Sequence, residues 1–208
     1  MAASTRRGMR ADAARNRELL LDAALAAFAA GGADATLDGI ARSAGVGIGT
    51  LYRHFPTREA LVEAVYRNEL DRLCDAADDL LTRMPADEAL RAWMDRFVDY
   101  MVTKKHMADA LRAVVASGGT PFAHSRERMG AAAGRLLAAG AADGTLRSAL
   151  GRSDHIGTDG GTRGEKPCVG GSDVLVGMSG VCMTAGEPDG RAQAGRLLDL
   201  LVDGLRAR

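Results

Sequence analysis

Aromatic residues make up only 4% of this chain, while alanine and leucine abound. Strands are built from β-branched and aromatic residues, so the scarcity argues against a sheet protein and for helices. Cysteine is equally sparse. Cys74, Cys168 and Cys182 are odd in number and far apart, and no Cys-x-x-Cys occurs. That pattern excludes a disulfide framework and a zinc knuckle and leads us to expect a reduced, cytoplasmic chain. No apolar run is of membrane-spanning length, and arginines and alanines stand where a secretory segment would need an apolar stretch. An excess of one charge is missing too, since 27 Lys+Arg balance 27 Asp+Glu. A nucleic-acid role would then need a local basic surface. The first seventeen residues offer one, with Arg6, Arg7, Arg10, Arg15 and Arg17 against the single acid Asp12. Nucleophile elbow, phosphate loop, zinc spacing and paired acid–histidine array are all absent. An enzyme is therefore not expected, and no catalytic residue, metal ligand or cofactor is assigned.

What is present is helical period. Leu20, Ala24, Ala27 and Phe28 make one apolar stripe, ended by Gly31-Gly32. Thr36 is placed to cap a short helix from Leu37 to Ala44, with Asp38 suited to the positive end of its dipole. Gly45 stops it, and the pattern resumes from Ile48 until Pro56 closes it. Thr57 caps a longer helix reaching about Arg83. Further helices are predicted over Ala86 to Lys105, Met107 to Ser117 and residues 121–142. Another, capped by Ser172, covers Asp173 to Ala185, and a last one opens at Pro188. The run from Gly151 to Gly171 holds seven glycines and almost no apolar period, so it reads as a disordered loop.

The stretch "GVGIGTLYRHFPTREAL", Gly45 to Leu61, concentrates the chemistry. Two short helices joined by a tight glycine turn form a helix-turn-helix if the second can enter a DNA major groove about 12 Å wide. Such a helix must be slim where the bases are close, and Gly47, Ile48, Gly49 and Thr50 are slim. One turn on, donors to phosphate are useful. Tyr52 and His54 stand there, with Arg58 just beyond, while Leu51 and Phe55 hold the helix to the core.

The residues "TLDGIARSAGVGIGTLYRHFPTREALVEAV", Thr36 to Val65, resemble the DNA-binding region of the TetR/AcrR family of bacterial transcriptional regulators. The resemblance implies an all-α homodimer. It implies an N-terminal three-helix DNA-binding domain, here residues 1–58, and a larger helical domain for ligand sensing and dimerisation, residues 59–208. It also implies a repressor bound to double-stranded DNA until a small molecule swings the two reading heads out of register. By position, Thr36 would contact phosphate and Asp38 a base. Gly47, Ile48, Gly49 and Thr50 take the base-reading places, and Tyr52, His54 and Arg58 the phosphate-gripping ones. Gly47 replaces a common capping serine and Ile48 a common polar residue, which shifts weight toward thymine methyls, DNA shape and the arginine-rich arm.

Under that resemblance, Trp93, Phe97, Met101, Met107, Leu111 and Met129 are candidate walls of an effector pocket, suited to an apolar or aromatic guest. The same stripe at helical spacing also serves as plain core. The last two helices should bury their apolar faces against a second copy through Val174, Met178, Leu197, Leu198, Leu201 and Leu205, which predicts a two-fold axis and a palindromic operator. The alternative is an architectural or constitutive DNA binder without a ligand switch.

Overall fold

The structure is a computed structural model that describes residues 2–31, 35–147, 169–184 and 190–207, the side chains of 2–10 excepted. Among these residues it is all-α, with nine helices: α1 (Ala2–Gly31), α2 (Leu37–Ser43), α3 (Ile48–His54), α4 (Arg58–Leu81), α5 (Ala86–His106), α6 (Ala108–Ala116), α7 (Ser125–Asp143), α8 (Gly171–Thr184) and α9 (Gly190–Leu205). The one extended pairing among them is an isolated antiparallel bridge between Leu146 and Arg206. The chain divides into two compact units, Met1–Glu69 with Val102–Pro121, and Leu70–Met101 with Phe122–Arg208.

In the first unit α1 buries Leu20, Leu21, Ala24 and Phe28. Leu21 thus joins the stripe where Ala27, only half-buried, was expected. Ile40 and Ala41 of α2, Leu51 of α3, Phe55, and Leu61, Val62 and Val65 of α4 are buried as well. Each large side chain so buried contributes about 1.5–3 kcal/mol. These residues hold two helices of only seven residues each, too short to be stable alone.

The second unit is laced by ion pairs that the sequence did not suggest. Arg128 and Arg135 of α7 reach Asp71 and Asp78 of α4 at 2.6 and 2.9 Å. Both pairs are separated by 57 positions, so these two helix segments run parallel in one register. The α5–α9 pair runs the other way. Asp87 meets Arg206 at 2.8 Å, Arg91 meets Asp199 at 2.5 Å, and Asp95 and Asp99 meet Arg191 at 3.1 and 3.2 Å. Arg91 Nη1 also lies 2.7 Å from Asp95, an ionic contact off the hydrogen-bond direction. Burial pushes the Asp95 carboxyl up, but the close guanidinium groups of Arg91 and Arg191 outweigh that and leave it below its usual range.

Two helix boundaries depart from expectation through local bonds. The helix predicted over residues 121–142 begins only at Ser125. Residues 121–124 form a turn in which Ser125 N–H bonds the Phe122 carbonyl and His124 adopts φ 60°. Phe122, expected in the helix, is 42% exposed. Ser172 does not cap α8. The helix starts at Gly171, two residues before the expected Asp173, and Asp173 reaches back to accept the Gly170 N–H at 2.9 Å, half of a capping box. Of the glycine-rich run, 151–168 lie outside the described residues, but Gly170 and Gly171 are buried. A Cβ on Gly171 would collide with the Gly130 carbonyl and the Gly134 backbone, so this glycine permits the close approach of α8 to α7. The opening of the last helix at Pro188 lies outside the described residues.

Candidate nucleic-acid interface

The first unit carries the predicted two-helix head, and its joints are chemically explicit. Thr36 has extended backbone angles, φ −91° and ψ 146°, and its hydroxyl accepts the Gly39 N–H at 3.1 Å. Such a cap contributes about 1 kcal/mol. Gly39 keeps that cap accessible, since a Cβ there would press on the Thr36 hydroxyl at 3.0 Å. After α2, Gly45 takes φ 68°, its N–H bonds the Arg42 carbonyl, and the Val46 N–H bonds the Ala41 carbonyl, both at 3.0 Å. This is the Schellman motif, and its left-handed residue is well served only by glycine. The chain thereby reverses within three residues and enters α3.

Gly47 is the N-cap of α3 with φ −70° and makes no side-chain cap bond. Thr50 N–H bonds the Gly47 carbonyl at 2.8 Å. Gly47, Ile48 and Gly49 are exposed and Thr50 is half-buried. A Cβ built on Gly47 or Gly49 meets nothing within 4 Å. Neither glycine has a positive φ, so neither the backbone nor the packing of the protein itself asks for glycine there. Behind this tip Tyr52 is 49% exposed and His54 half-buried, while Leu51 and Phe55 are buried beneath them. The alternation anchors one side of a seven-residue helix and presents the other.

The remaining expected contacts are distributed less simply. Asp38 is exposed and paired with exposed Arg42 at 3.1 Å. A surface pair of this kind is worth at most about 1 kcal/mol and is readily exchanged for another partner. Arg58 turns inward: its guanidinium lies 5.3 Å from the Phe28 ring centroid and donates to the Ala35 carbonyl. Two further arginines stand at the head: Arg53, which was not singled out from the sequence, and Arg17 of the basic N-terminal stretch. Arg53 is exposed between Tyr52 and His54, and Arg17 of α1 lies 5.6 Å over the Phe55 ring. Arg53 is three and four residues beyond Thr50 and Gly49, the spacing that puts side chains on one helix face, and that spacing could have found it. Nothing in the sequence ties Arg17 to Phe55. Arg6, Arg7 and Arg10 belong to the part of α1 whose side chains are outside the described set.

The candidate effector residues fall into both units. Trp93, Phe97, Met101 and Met129 belong to the second, Met107 and Leu111 to the first. All are buried except Met101, which is half-buried. The Trp93 indole N–H donates to the Leu73 carbonyl at 2.8 Å, which fastens α5 to α4, and its ring lies 6.3 Å from that of Phe97 in the same helix. A crevice of about 220 Å³ in the second unit is lined instead by Arg91, Asp199, Val202, Asp203 and Arg206. Of the candidate dimer residues, Val174, Met178 and Leu198 are buried within the protomer, and Leu197, Leu201 and Leu205 are half-buried. The apolar side chains that α8 and α9 leave open are Val176, Met183 and Leu200, at 54%, 81% and 68% exposure.

A capped short helix, a Schellman reversal and a second short helix with a slim exposed tip define a helix-turn-helix DNA-binding protein. Comparison with known proteins agrees. Residues 20–65 match the profile of bacterial regulatory proteins of the tetR family, and residues 85–158 that of the C-terminal domain of SbtR-like transcriptional regulators. The solved structure of the TetR transcriptional regulator SCO0520 from Streptomyces coelicolor is 50% identical. It covers 92% of this chain and 98% of its own, with a TM-score of 0.77. The TetR regulator of Mycobacterium vanbaalenii is 33% identical over 96% of this chain and 99% of its own, with a TM-score of 0.70. Among curated proteins, an HTH-type transcriptional regulator of Staphylococcus aureus is 32% identical over 63 residues, and the uncharacterized regulator TtgW of Pseudomonas putida 48% over 56. Those matches span only 33% and 42% of the two proteins' lengths and 29% and 26% of this chain. The chain belongs to the TetR family of bacterial transcriptional regulators. No helix among the described residues is long and apolar enough to cross a membrane.

Proposed function

We propose that the protein is a repressor that binds a palindromic operator as a homodimer and leaves it when a small apolar or aromatic effector binds. The observation that carries the DNA-reading part is the α3 tip. Gly47 and Gly49 are exposed glycines that the protein's own packing does not require, which is what a helix pressed against base edges needs. In this reading Gly47, Ile48, Gly49 and Thr50 face the bases, and Asp38 approaches one after exchanging Arg42. Thr36, Tyr52 and His54 take phosphate oxygens, joined by exposed Arg53.

Dimerisation is supported by the apolar side chains that α8 and α9 expose, Val176, Met183 and Leu200, with half-buried Leu197 and Leu201 beside them. A two-fold axis there would present two heads to one duplex. The sensing role rests on the second unit's Trp93, Phe97, Met101 and Met129, where methionine flexibility suits an apolar guest. The family is one of regulators, and we assign no catalytic step.

The test is an electrophoretic shift on the DNA upstream of the protein's own gene. A discrete band that survives competitor DNA and disappears with an apolar effector supports the reading. A smear that competes away would make the protein an architectural binder. A band that no effector releases would leave a constitutive one.

A further inference from the structure

We propose that Arg58 is a positioning residue of the DNA-reading head rather than one of its phosphate contacts. This rests on the reading of α3 as the helix that enters DNA.

Arg58 is the first residue of α4. Its guanidinium lies over the ring of Phe28, a buried residue of α1. One of its N–H groups donates to the carbonyl of Ala35, the residue immediately before the α2 cap Thr36. A single planar group therefore joins α4, α1 and the start of α2. Phe28 and the Ala35 carbonyl stand on opposite ends of the α1–α2 connection, so the arginine fixes where α2 begins. The α3 helix follows α2 through the rigid Gly45 reversal, and what sets α2 sets α3.

The chemistry favours this inward use. A guanidinium can stack on an aromatic face and donate from its edge at the same time, because it is flat and carries five N–H groups. An ammonium has neither the flat face nor the fork, so lysine reproduces the two contacts together less well. A phosphate contact asks for less: a positive charge on a flexible stem is sufficient, and lysine supplies it. Arg58 is half-buried, while Tyr52 and Arg53 are exposed. Turning Arg58 out to a phosphate would break the ring contact and the carbonyl bond together.

The two roles separate in a salt titration. A phosphate contact releases counterions, and each one lost lowers the slope of log K against log[salt] by about 0.9. A positioning residue changes affinity without changing that slope. The probe is a duplex that the wild-type chain recovers from random-sequence DNA, with binding followed by fluorescence anisotropy well below the melting temperature. Failure to recover any duplex would count against the proposed function, not against this assignment.

For Arg58→Met and Arg58→Lys we expect the same outcome, a loss of roughly three- to thirtyfold in affinity with the wild-type salt slope. Arg53→Met, the phosphate control, should flatten the slope. The assignment is overturned if Arg58→Lys binds like wild type while Arg58→Met flattens the slope, since that is the signature of a phosphate contact. It is equally overturned if both variants melt earlier yet bind as tightly as wild type, which would make the bridge purely structural. Should Arg58→Met fail to fold, the affinity and slope of Arg58→Lys decide by themselves.

Discussion

Replacing Gly49 with alanine should make the protein more stable and a poorer DNA binder. Gly49 is the second residue of α3, and its φ is not positive. A Cβ there meets nothing within 4 Å, so the methyl introduces no clash. What remains is the backbone entropy that glycine loses on entering a helix, about 0.5–1 kcal/mol relative to alanine. For a chain of this length that corresponds to a rise in melting temperature of roughly 1–4 °C. On DNA the sign reverses. If the tip lies against base edges, the added methyl occupies packed space, and overpacking costs about 1–3 kcal/mol. That is a loss of about five- to 150-fold in affinity for each tip that inserts. The assay pairs a thermal melt monitored by circular dichroism with anisotropy on a selected duplex. A lower melting temperature would mean that the fold requires this glycine after all. Unchanged affinity would mean that the tip does not approach the bases, and the assignment of positions 47–50 would fail.

Other expectations can be checked with the same material. Tyr52→Phe and His54→Ala should weaken binding to all duplexes about equally, whereas Thr50→Ala should alter the sequence recovered in a selection; the reverse pattern would invert these roles. Gly171→Ala should lower thermal stability by about 1–3 kcal/mol, because its methyl would run into the α7 backbone at Gly130 and Gly134; an unchanged melt would show that α8 can slide away at no cost. The depressed Asp95 carboxyl contributes stability that is present above its unfolded value near 3.9 and lost as pH falls through its lower folded value. Melting curves of wild type and Asp95→Asn should therefore converge as the solution is acidified through that window, and parallel curves would show that the α5–α9 ion pairs add nothing.

The joints of the reading head were legible in the sequence, because the contacts that make them are local. A cap and the donor it serves are three residues apart at Thr36 and Gly39, the Schellman reversal needs only Gly45, and the proline at 56 ends α3 by its effect on its neighbour. Helical period likewise announced the all-α class. What the sequence could not carry was any feature whose partners are distant along the chain. The Arg128–Asp71 and Arg135–Asp78 pairs each span 57 positions. The starts of α7 and α8 are a different case, misjudged although the contacts that set them span three residues. Val174, Met178 and Leu198 have the spacing of an interface stripe, yet they are buried inside the protomer, and the large apolar side chains that α8 and α9 expose are Val176, Met183 and Leu200. Arg58 sits at a position whose resemblance implies phosphate, but its ring partner is thirty residues upstream and its carbonyl partner twenty-three. Periodicity marks which side of a helix is apolar. Only the folded chain decides which neighbour covers that side, and whether a long cationic side chain finds its partner in the solvent or within the protein.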